Sequence, residues 1–325
     1  MSERHPAIVA FLDHYLANDK ASTAKTYSSY LFHYERWIAI TKADLLRVTA
    51  DQLAEYQLWV TSEVSPAIGQ LRARSTQATI IIVVKSFYAW LRRRGHLVHD
   101  PAVHLVPPCP PKSHSVHKEH LTLQEATALI QTTAALIEEH PTGGQYWAMR
   151  VRNLALLSVA LATGRRVQGL VDLSVHQLDF ERNELRVDRE KSKTGRVLPV
   201  APWAMATVRR YLDDARPLII KGNEIPFLFI GQRTTRMCAR TVSFVLADAV
   251  GETIRRNPDL SELPRKRIST HSLRVSFATL LFQGGCNIRS INELMLHADL
   301  STTARYTPMH VTDVRRVLLS THPRA

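Results

Sequence analysis

Acidic residues are scarce beside basic ones. The 325 residues hold 29 Asp and Glu against 42 Lys and Arg, a formal charge of +13. That imbalance argues against an acidic, cation-sequestering surface and for a polyanionic partner, most commonly nucleic acid. Through Lys112 the chain carries 13 basic and 9 acidic residues, and beyond it 29 and 20, so the charge is not confined to a tail. Cysteine is nearly absent. Cys109, Cys238 and Cys286 lie far apart without a C-x-x-C pair, which excludes a disulfide framework and fits the reducing cytosol. Long apolar runs are missing as well: Ala78–Val84 and Leu154–Leu161 are too short to cross a bilayer. The opening MSERHPAIVAFLDHYL lacks the extended apolar core of a secretory signal. The expectation is a cytoplasmic protein acting at the nucleoid, with no membrane partner. Clustered carboxylates, which metal-dependent phosphodiester hydrolysis needs, are not found. His114, His117 and His120 are evenly spaced, but no cysteine or carboxylate completes a ligand set, so no metal is expected.

What the chain does contain is helical periodicity. Ile8, Phe11, Leu12 and Tyr15 recur at helical spacing, as do Tyr27, Tyr30, Leu31, Tyr34 and Trp37. Ser22 and Thr23 offer a start signal for the second set. A third helix is expected from Asp51 to about Ser62. A fourth runs from near Ser75 to Gly95, with Arg92, Arg93 and Arg94 crowding its last turn. Asp100–Lys112 holds five prolines and cannot continue a helix. Thr122, with Glu125 three residues on, then opens a new helix through a capping box. One β-hairpin is expected, with strands Leu185–Asp188 and Arg196–Val200 joined through Arg189–Gly195. The organisation read from this is a helical domain over 1–99, a proline-rich linker over 100–118 and a second, α+β domain over 119–325.

The densest chemistry lies in HSLRVSFATLLFQGGCNIRSINELMLHADLSTTARY, residues 271–306. It gathers His271, Arg274, His297 and Tyr306 in one short helical stretch. Arginine holds phosphate oxygens through a planar fork of donors, histidine serves an oxyanion or moves a proton, and tyrosine can form a covalent ester. Together they suggest attack on a phosphodiester without a metal. His271 and Arg274 are three residues apart and are expected on one helix face, opposite a stripe of Leu273, Phe277, Leu280 and Leu281. Ser269 or Thr270 would cap that helix, placing the pair in its first turn, where N–H groups favour an anion.

This stretch resembles the C-terminal motif of the tyrosine recombinases, or phage-integrase-type recombinases. Their pattern is His-x-x-Arg, then Gly-His, then a tyrosine nine residues on. His271-Ser-Leu-Arg274 matches the first part, Leu296-His297 stands for the second, and Ser301–Tyr306 for the third. Thr23–Tyr27, Phe87–Leu91 and Leu121–Glu125 resemble the family's N-terminal domain and its restart, so the likeness spans nearly the whole chain. It implies a mainly α fold with a small antiparallel β-sheet, in which a helical core-binding domain and an α+β catalytic domain form a C-shaped clamp on DNA.

The resemblance also assigns residues. Ala162-Thr163-Gly164-Arg165-Arg166 is similar to the family's first arginine box and makes Arg166 a catalytic residue. Arg165 stands where the family has an apolar residue and stays open as the alternative ligand. Gly169 stands where the family has a supporting acid. Glu190–Arg196 resembles the hairpin segment whose lysine protonates the leaving 5′-oxygen. Loop length favours Lys191, and the Lys-Thr-Gly triplet favours Lys193, which otherwise contacts phosphate. His271, Arg274 and His297 would stabilise the transition state, and Tyr306 would be the nucleophile. Arg92, Arg93, Arg94, Arg265, Lys266 and Arg267, with Arg255 and Arg256, are expected to meet DNA phosphates. Val311, Val314, Val317 and Leu318 form a terminal apolar stripe with two open placements, on a neighbouring subunit or on its own domain. The implied enzyme is a site-specific recombinase forming a 3′-phosphotyrosyl intermediate. It would act as a homo-tetramer on paired DNA sites, through a Holliday junction, with no cofactor, metal or ATP. Accessory DNA-binding proteins are a further expected class of partner. The alternatives are a type IB topoisomerase and a DNA-binding protein that keeps the fold without chemistry.

Overall fold

The computed structural model describes residues 4–65, 69–108, 119–189, 192–231 and 236–295, with side chains throughout except at 188, 189 and 192–194. The chain divides into two compact units, Met1–Val116 and His117–Ala325.

The first unit is built from four helices: α1 (Pro6–Leu16), α2 (Ala21–Thr41), α3 (Ala50–Ser62) and α4 (Arg74–Arg93). All four helices read from apolar spacing are present. The start of α2 differs: Lys20 is its N-cap, no side chain caps it, and Ser22 and Thr23 already lie in the first turn. At α3 the cap comes from Thr49, whose hydroxyl accepts from the Gln52 N–H while the Gln52 side chain accepts from the Thr49 N–H. Aromatic side chains fill this core. Tyr34, Tyr56, Phe87 and Tyr88 are fully buried, and the Tyr34 and Tyr88 hydroxyls share a 2.6 Å hydrogen bond. Tyr88 also donates to the Leu45 carbonyl at 2.8 Å, so two buried phenols are satisfied by one chain of bonds.

A charged knot closes the same unit. Glu63 accepts from Arg72 at 2.6 Å, from His33 at 2.8 Å and from Arg36 at 3.1 Å. Burial lowers the His33 pKa against the raising effect of its Glu63 partner. Burial pushes the Glu63 carboxyl upward, but hydrogen bonds from Arg72 and His33 outweigh it and leave the pKa below its ordinary value. Both folded values lie beneath the unfolded references of 6.5 and 4.5, so the unfolded chain binds more protons and acid favours it. Stability of this unit is therefore expected to fall in two stages, first below about pH 6.5 and again below about pH 4.5. His33→Gln should remove the first stage. Trp59 reports it, since its ring centroid lies 4.6 Å from that of His33; an unchanged fluorescence titration in the variant would contradict the assignment.

The second unit surrounds α6 (Gln145–Thr163), whose residues Leu154–Thr163 are all buried. Packed on it are α5 (Leu123–Glu138), α8 (Pro202–Arg210), a π-turn at Tyr211–Ala215 leading into α9 (Arg216–Ile220), and α11 (Thr270–Gln283). The remaining helices are α7 (Val167–Val171), α10 (Ala239–Arg256) and α12 (Ile288–Leu294). The capping box read at Thr122 is present: the hydroxyl accepts from the Glu125 N–H at 3.2 Å, and Glu125 accepts from the Thr122 N–H at 2.7 Å.

The strands of the hairpin are longer than the sequence suggests. Strand β2 (Glu184–Arg189) pairs antiparallel with β3 (Ser192–Pro199), with Leu185 opposite Leu198, Val187 opposite Arg196 and Arg189 opposite Ser192. The register shifts between Val187 and Arg189, where three residues of β3 face one of β2, an irregularity of the bulge kind. A third strand, β1 (Leu178–Asp179), adds to the other edge of β2. At two residues it is below the length at which alternation is readable. Among the described residues, no helix is long and apolar enough to cross a membrane.

Candidate active site

The site is built where α6 stops. Gly164 ends the helix in the left-handed region, at φ +57. A Cβ there would approach the Phe277 ring to 2.4 Å. Glycine is thus required both by backbone conformation and by the close approach of α11. The chain then turns through Arg165 and Arg166, and Arg166 forms the N-cap of α7.

Arg274 meets this turn from α11. Its two terminal nitrogens donate to the Gly164 carbonyl at 2.6 Å and to the Met295 carbonyl at 2.5 Å. The guanidinium therefore ties the end of α6 to the end of α12. Here the helix-face expectation is corrected. Arg274 is 3% exposed and buried with Leu273 and Phe277, whereas His271 is exposed. Three residues rotate a helix by less than a full turn, so a shared face does not impose shared burial. The cap read at Ser269 is present, and only the placement of Arg274 in the first turn is corrected. Ser269 is the cap, its hydroxyl takes the Ser272 N–H, and the Ser272 hydroxyl returns to the Ser269 N–H. Arg274 accordingly lies in the second turn, beyond the free N–H groups.

Arg165, Arg166 and Arg274 line one pocket of 190 Å³, with Gln168, Gly169, Leu294 and Met295. Burial, together with the charges of Arg166 and Arg165, holds the Arg274 pKa down to about 10. Burial likewise lowers that of Arg165, which Asp172 partly offsets. Three guanidiniums around so small a space repel one another, and an oxyanion placed among them relieves that repulsion. The Arg166 side chain is exposed and forms no hydrogen bond or ion pair among the described residues, which leaves its donors available to a ligand.

The other expected residues fall into three groups. Lys191, His297 and Tyr306 lie outside the described residues, as do His114, His117, Cys109 and the terminal stripe at Val311–Leu318; Lys193 belongs to β3 by its backbone alone. Arg92, Arg93 and Arg94 are exposed at the end of α4, and the Arg94 guanidinium lies over the Trp90 ring. Several cations of the basic run ahead of α11 pair with carboxylates at the surface. Arg265 pairs with Glu262 at 2.8 Å, Arg255 and Arg256 pair with Glu252, and Arg256 also pairs with Glu139. The Arg267 backbone N–H donates to Glu119.

Lys266 departs furthest from the expectation of a phosphate contact. Its ammonium binds both Glu125 carboxylate oxygens, at 2.6 and 2.8 Å, and the His120 carbonyl at 3.2 Å. The Glu125 side chain is 5% exposed, so this cation neutralises a buried acid. Lys266→Met is expected to cost about 3 kcal/mol of stability by stranding that carboxylate, while the salt dependence of DNA binding stays unchanged. Thermal unfolding and a salt titration separate the two; a flatter salt slope with an unchanged melting temperature would restore Lys266 to the DNA surface. Among the described residues no group of three or more His, Cys, Asp or Glu is placed to hold a metal.

Sequence reasoning missed the two carbonyls that anchor Arg274. No local signal points to them, since they lie 110 and 21 residues away.

Comparison with known proteins extends the picture over the whole chain. The tyrosine recombinase XerC of Mycobacterium sp. (strain KMS) is 30% identical over 324 residues, covering 98% of this chain and 99% of that protein. Among solved structures, the XerH site-specific recombinase bound to difH substrate in a pre-cleavage complex superposes with a TM-score of 0.62. It is 19% identical and covers 91% of this chain and 80% of its own. A lambda integrase tetramer bound to a Holliday junction gives 0.57 at 16% identity, covering 96% and 77%. The phage integrase, N-terminal SAM-like domain matches residues 8–95, and the phage integrase family proper matches residues 119–313. The chain therefore belongs to the phage integrase family, the tyrosine recombinases.

Proposed function

We propose that this chain is a site-specific DNA recombinase that breaks and rejoins strands by transesterification. Members of its family are DNA strand-transferring enzymes. The observation that carries the reading for this chain is the convergence of Arg166 and Arg274 on one cationic pocket from two separate elements. Such a cradle suits the non-bridging oxygens of a scissile phosphate and the charge that builds on them.

In this reading the Tyr306 phenol gives up its proton to solvent as its oxygen attacks phosphorus, forming a tyrosyl P–O bond as the P–O5′ bond breaks. The bridging electron pair leaves on the 5′-oxygen, and Lys191 delivers a proton to it. Arg166, Arg274, His271 and His297 stabilise the pentacoordinate phosphorus between. A 5′-hydroxyl of the partner strand then attacks the phosphotyrosyl ester, releases tyrosine and closes the new joint. The ester conserves bond energy, so the balance requires no nucleotide. Four copies acting on two sites through a Holliday junction fit this sequence of steps, and the lambda integrase tetramer on such a junction supports that arrangement.

The test is a suicide DNA site, nicked so that the 5′-hydroxyl fragment diffuses away, incubated with the protein in EDTA. A denaturation-resistant adduct at the 3′-phosphate end left by the break is expected. A protein that binds the site yet leaves no adduct would be a DNA-binding module instead.

The same substrate decides between the two lysines. Loss of the general acid is expected to slow adduct formation by about 10²–10³-fold. Sulfur at the 5′ bridging position makes a leaving group that needs no proton, so it should restore the rate of Lys191→Met. If it restores only Lys193→Met, the acid is Lys193 rather than Lys191.

A further inference from the structure

In sequence Arg165 and Arg166 are alternatives, but the structure gives them different places at the same pocket. The Arg165 Nε donates to the Gly169 carbonyl at 2.9 Å, which pins the guanidinium over the first turn of α7. A Cβ at residue 169 would lie 2.9 Å from the Arg165 Nη2 and 3.4 Å from its Cζ and Nε. The guanidinium therefore occupies the space that any side chain at 169 would enter. The nearby acid, Asp172, does not hold it: Asp172 bonds Arg236 through one oxygen and Gln168 through the other. The Arg165 Nη1 is buried and has no hydrogen-bond partner among the described residues. A buried guanidinium N–H without an acceptor is costly, and an arriving oxyanion supplies one.

We propose that Arg165 is a third phosphate-binding guanidinium of this active site, held in place by the space left at Gly169. The inference rests on the recombinase reading above and deepens it. Where the family resemblance has an apolar residue and an acid, this chain has a cation and a gap, so the site gains one positive charge and sheds one negative charge. A side chain at 169 would press on the far end of Arg165 and shift it, so the two positions are coupled. The phosphate between them is gripped from the α6–α7 turn by Arg165 and Arg166, and from α11 by Arg274.

The experiment compares single-turnover adduct formation on two suicide sites, one with an ordinary scissile phosphate and one with a methylphosphonate, whose non-bridging oxygen charge is gone. On the phosphate, Arg165→Met is expected to slow the reaction about 10- to 100-fold, with Arg165→Lys between the variant and wild type. On the methylphosphonate the difference between variant and wild type should shrink toward unity. Gly169→Ala, which shifts the end of Arg165 without removing it, should give a smaller phosphate-specific loss and add nothing in the Arg165→Met background. An equal loss on both substrates, or a Gly169→Ala loss that persists undiminished in the Arg165→Met background, makes Arg165 a structural strut and overturns the proposal. If the wild type forms no adduct, the recombinase reading fails separately. The rise in melting temperature with inorganic phosphate then decides the question: Arg165→Met should lose it, and a variant that keeps it overturns the phosphate role.

Discussion

Tyr306→Phe is expected to lower adduct formation on a suicide site by about four orders of magnitude or more, with DNA affinity and melting temperature unchanged. The substitution deletes one oxygen and keeps the ring, and an enzyme that loses its nucleophile falls to the background left by binding alone. The structure narrows the field of rival phenols. Tyr34, Tyr56 and Tyr88 are fully buried in the first unit, where burial raises their pKa values well above the ordinary phenol. Tyr211 is fully buried in the second unit and pushed up to about 12 by burial. Tyr15, Tyr27 and Tyr30 pack against the core of the first unit. Tyr146 is exposed, but it stands at the start of α6, while the arginine turn follows its end, a separation of about 27 Å along the axis at 1.5 Å per residue. Tyr146→Phe should accordingly leave the adduct intact. An adduct that persists in Tyr306→Phe and vanishes in Tyr146→Phe would relocate the chemistry to the far end of α6.

How much of this was legible in the sequence depends on how local each cause is. The Thr122–Glu125 box is a contact over three residues and could be read directly. The apolar run Leu154–Leu161 is visible in the sequence, and it lies in the half of α6 that is buried throughout. The two-residue strand β1 has no periodicity to read, and its place is set by pairing with Leu185 and Glu184. Lys266 shows the limit for charge: its partner Glu125 is 141 residues away, so sequence could only assign it to the basic surface. For Arg274 the residue type was legible and the environment was not. A cation three residues from His271 looks like part of a solvated face, yet a long apolar stem lets a guanidinium pass through a buried layer and end on carbonyls. Lys191, His297 and Tyr306 rest on motif resemblance and lie outside the described residues.

Arg274→Met is expected to fail twice, whereas Arg166→Met fails once, and that contrast tests how the pocket is built. Arg274 serves two functions with one group. It is the clamp between the Gly164 and Met295 carbonyls, and it faces the pocket beside Arg166. Methionine keeps much of the stem volume but strands two buried carbonyls, at roughly 1–3 kcal/mol each. Partial relief comes from losing a desolvated charge, so a net loss of about 2–4 kcal/mol is expected. Lysine would not repair it, because a single ammonium does not reproduce the two-pronged geometry of the fork. Removing a preorganised donor from the transition state should slow adduct formation by about 10³-fold beyond any loss of folded protein. Arg166 caps a five-residue helix with its backbone and leaves its side chain exposed. Arg166→Met should therefore lose a similar factor in rate with no change in melting temperature. The measurement is paired: single-turnover rate on the suicide site at a temperature where both variants are folded, and thermal unfolding of each. If Arg274→Met melts with the wild type and Arg166→Met does not, the clamp has been assigned to the wrong arginine. If both react at the wild-type rate, the pocket is not where the phosphate binds.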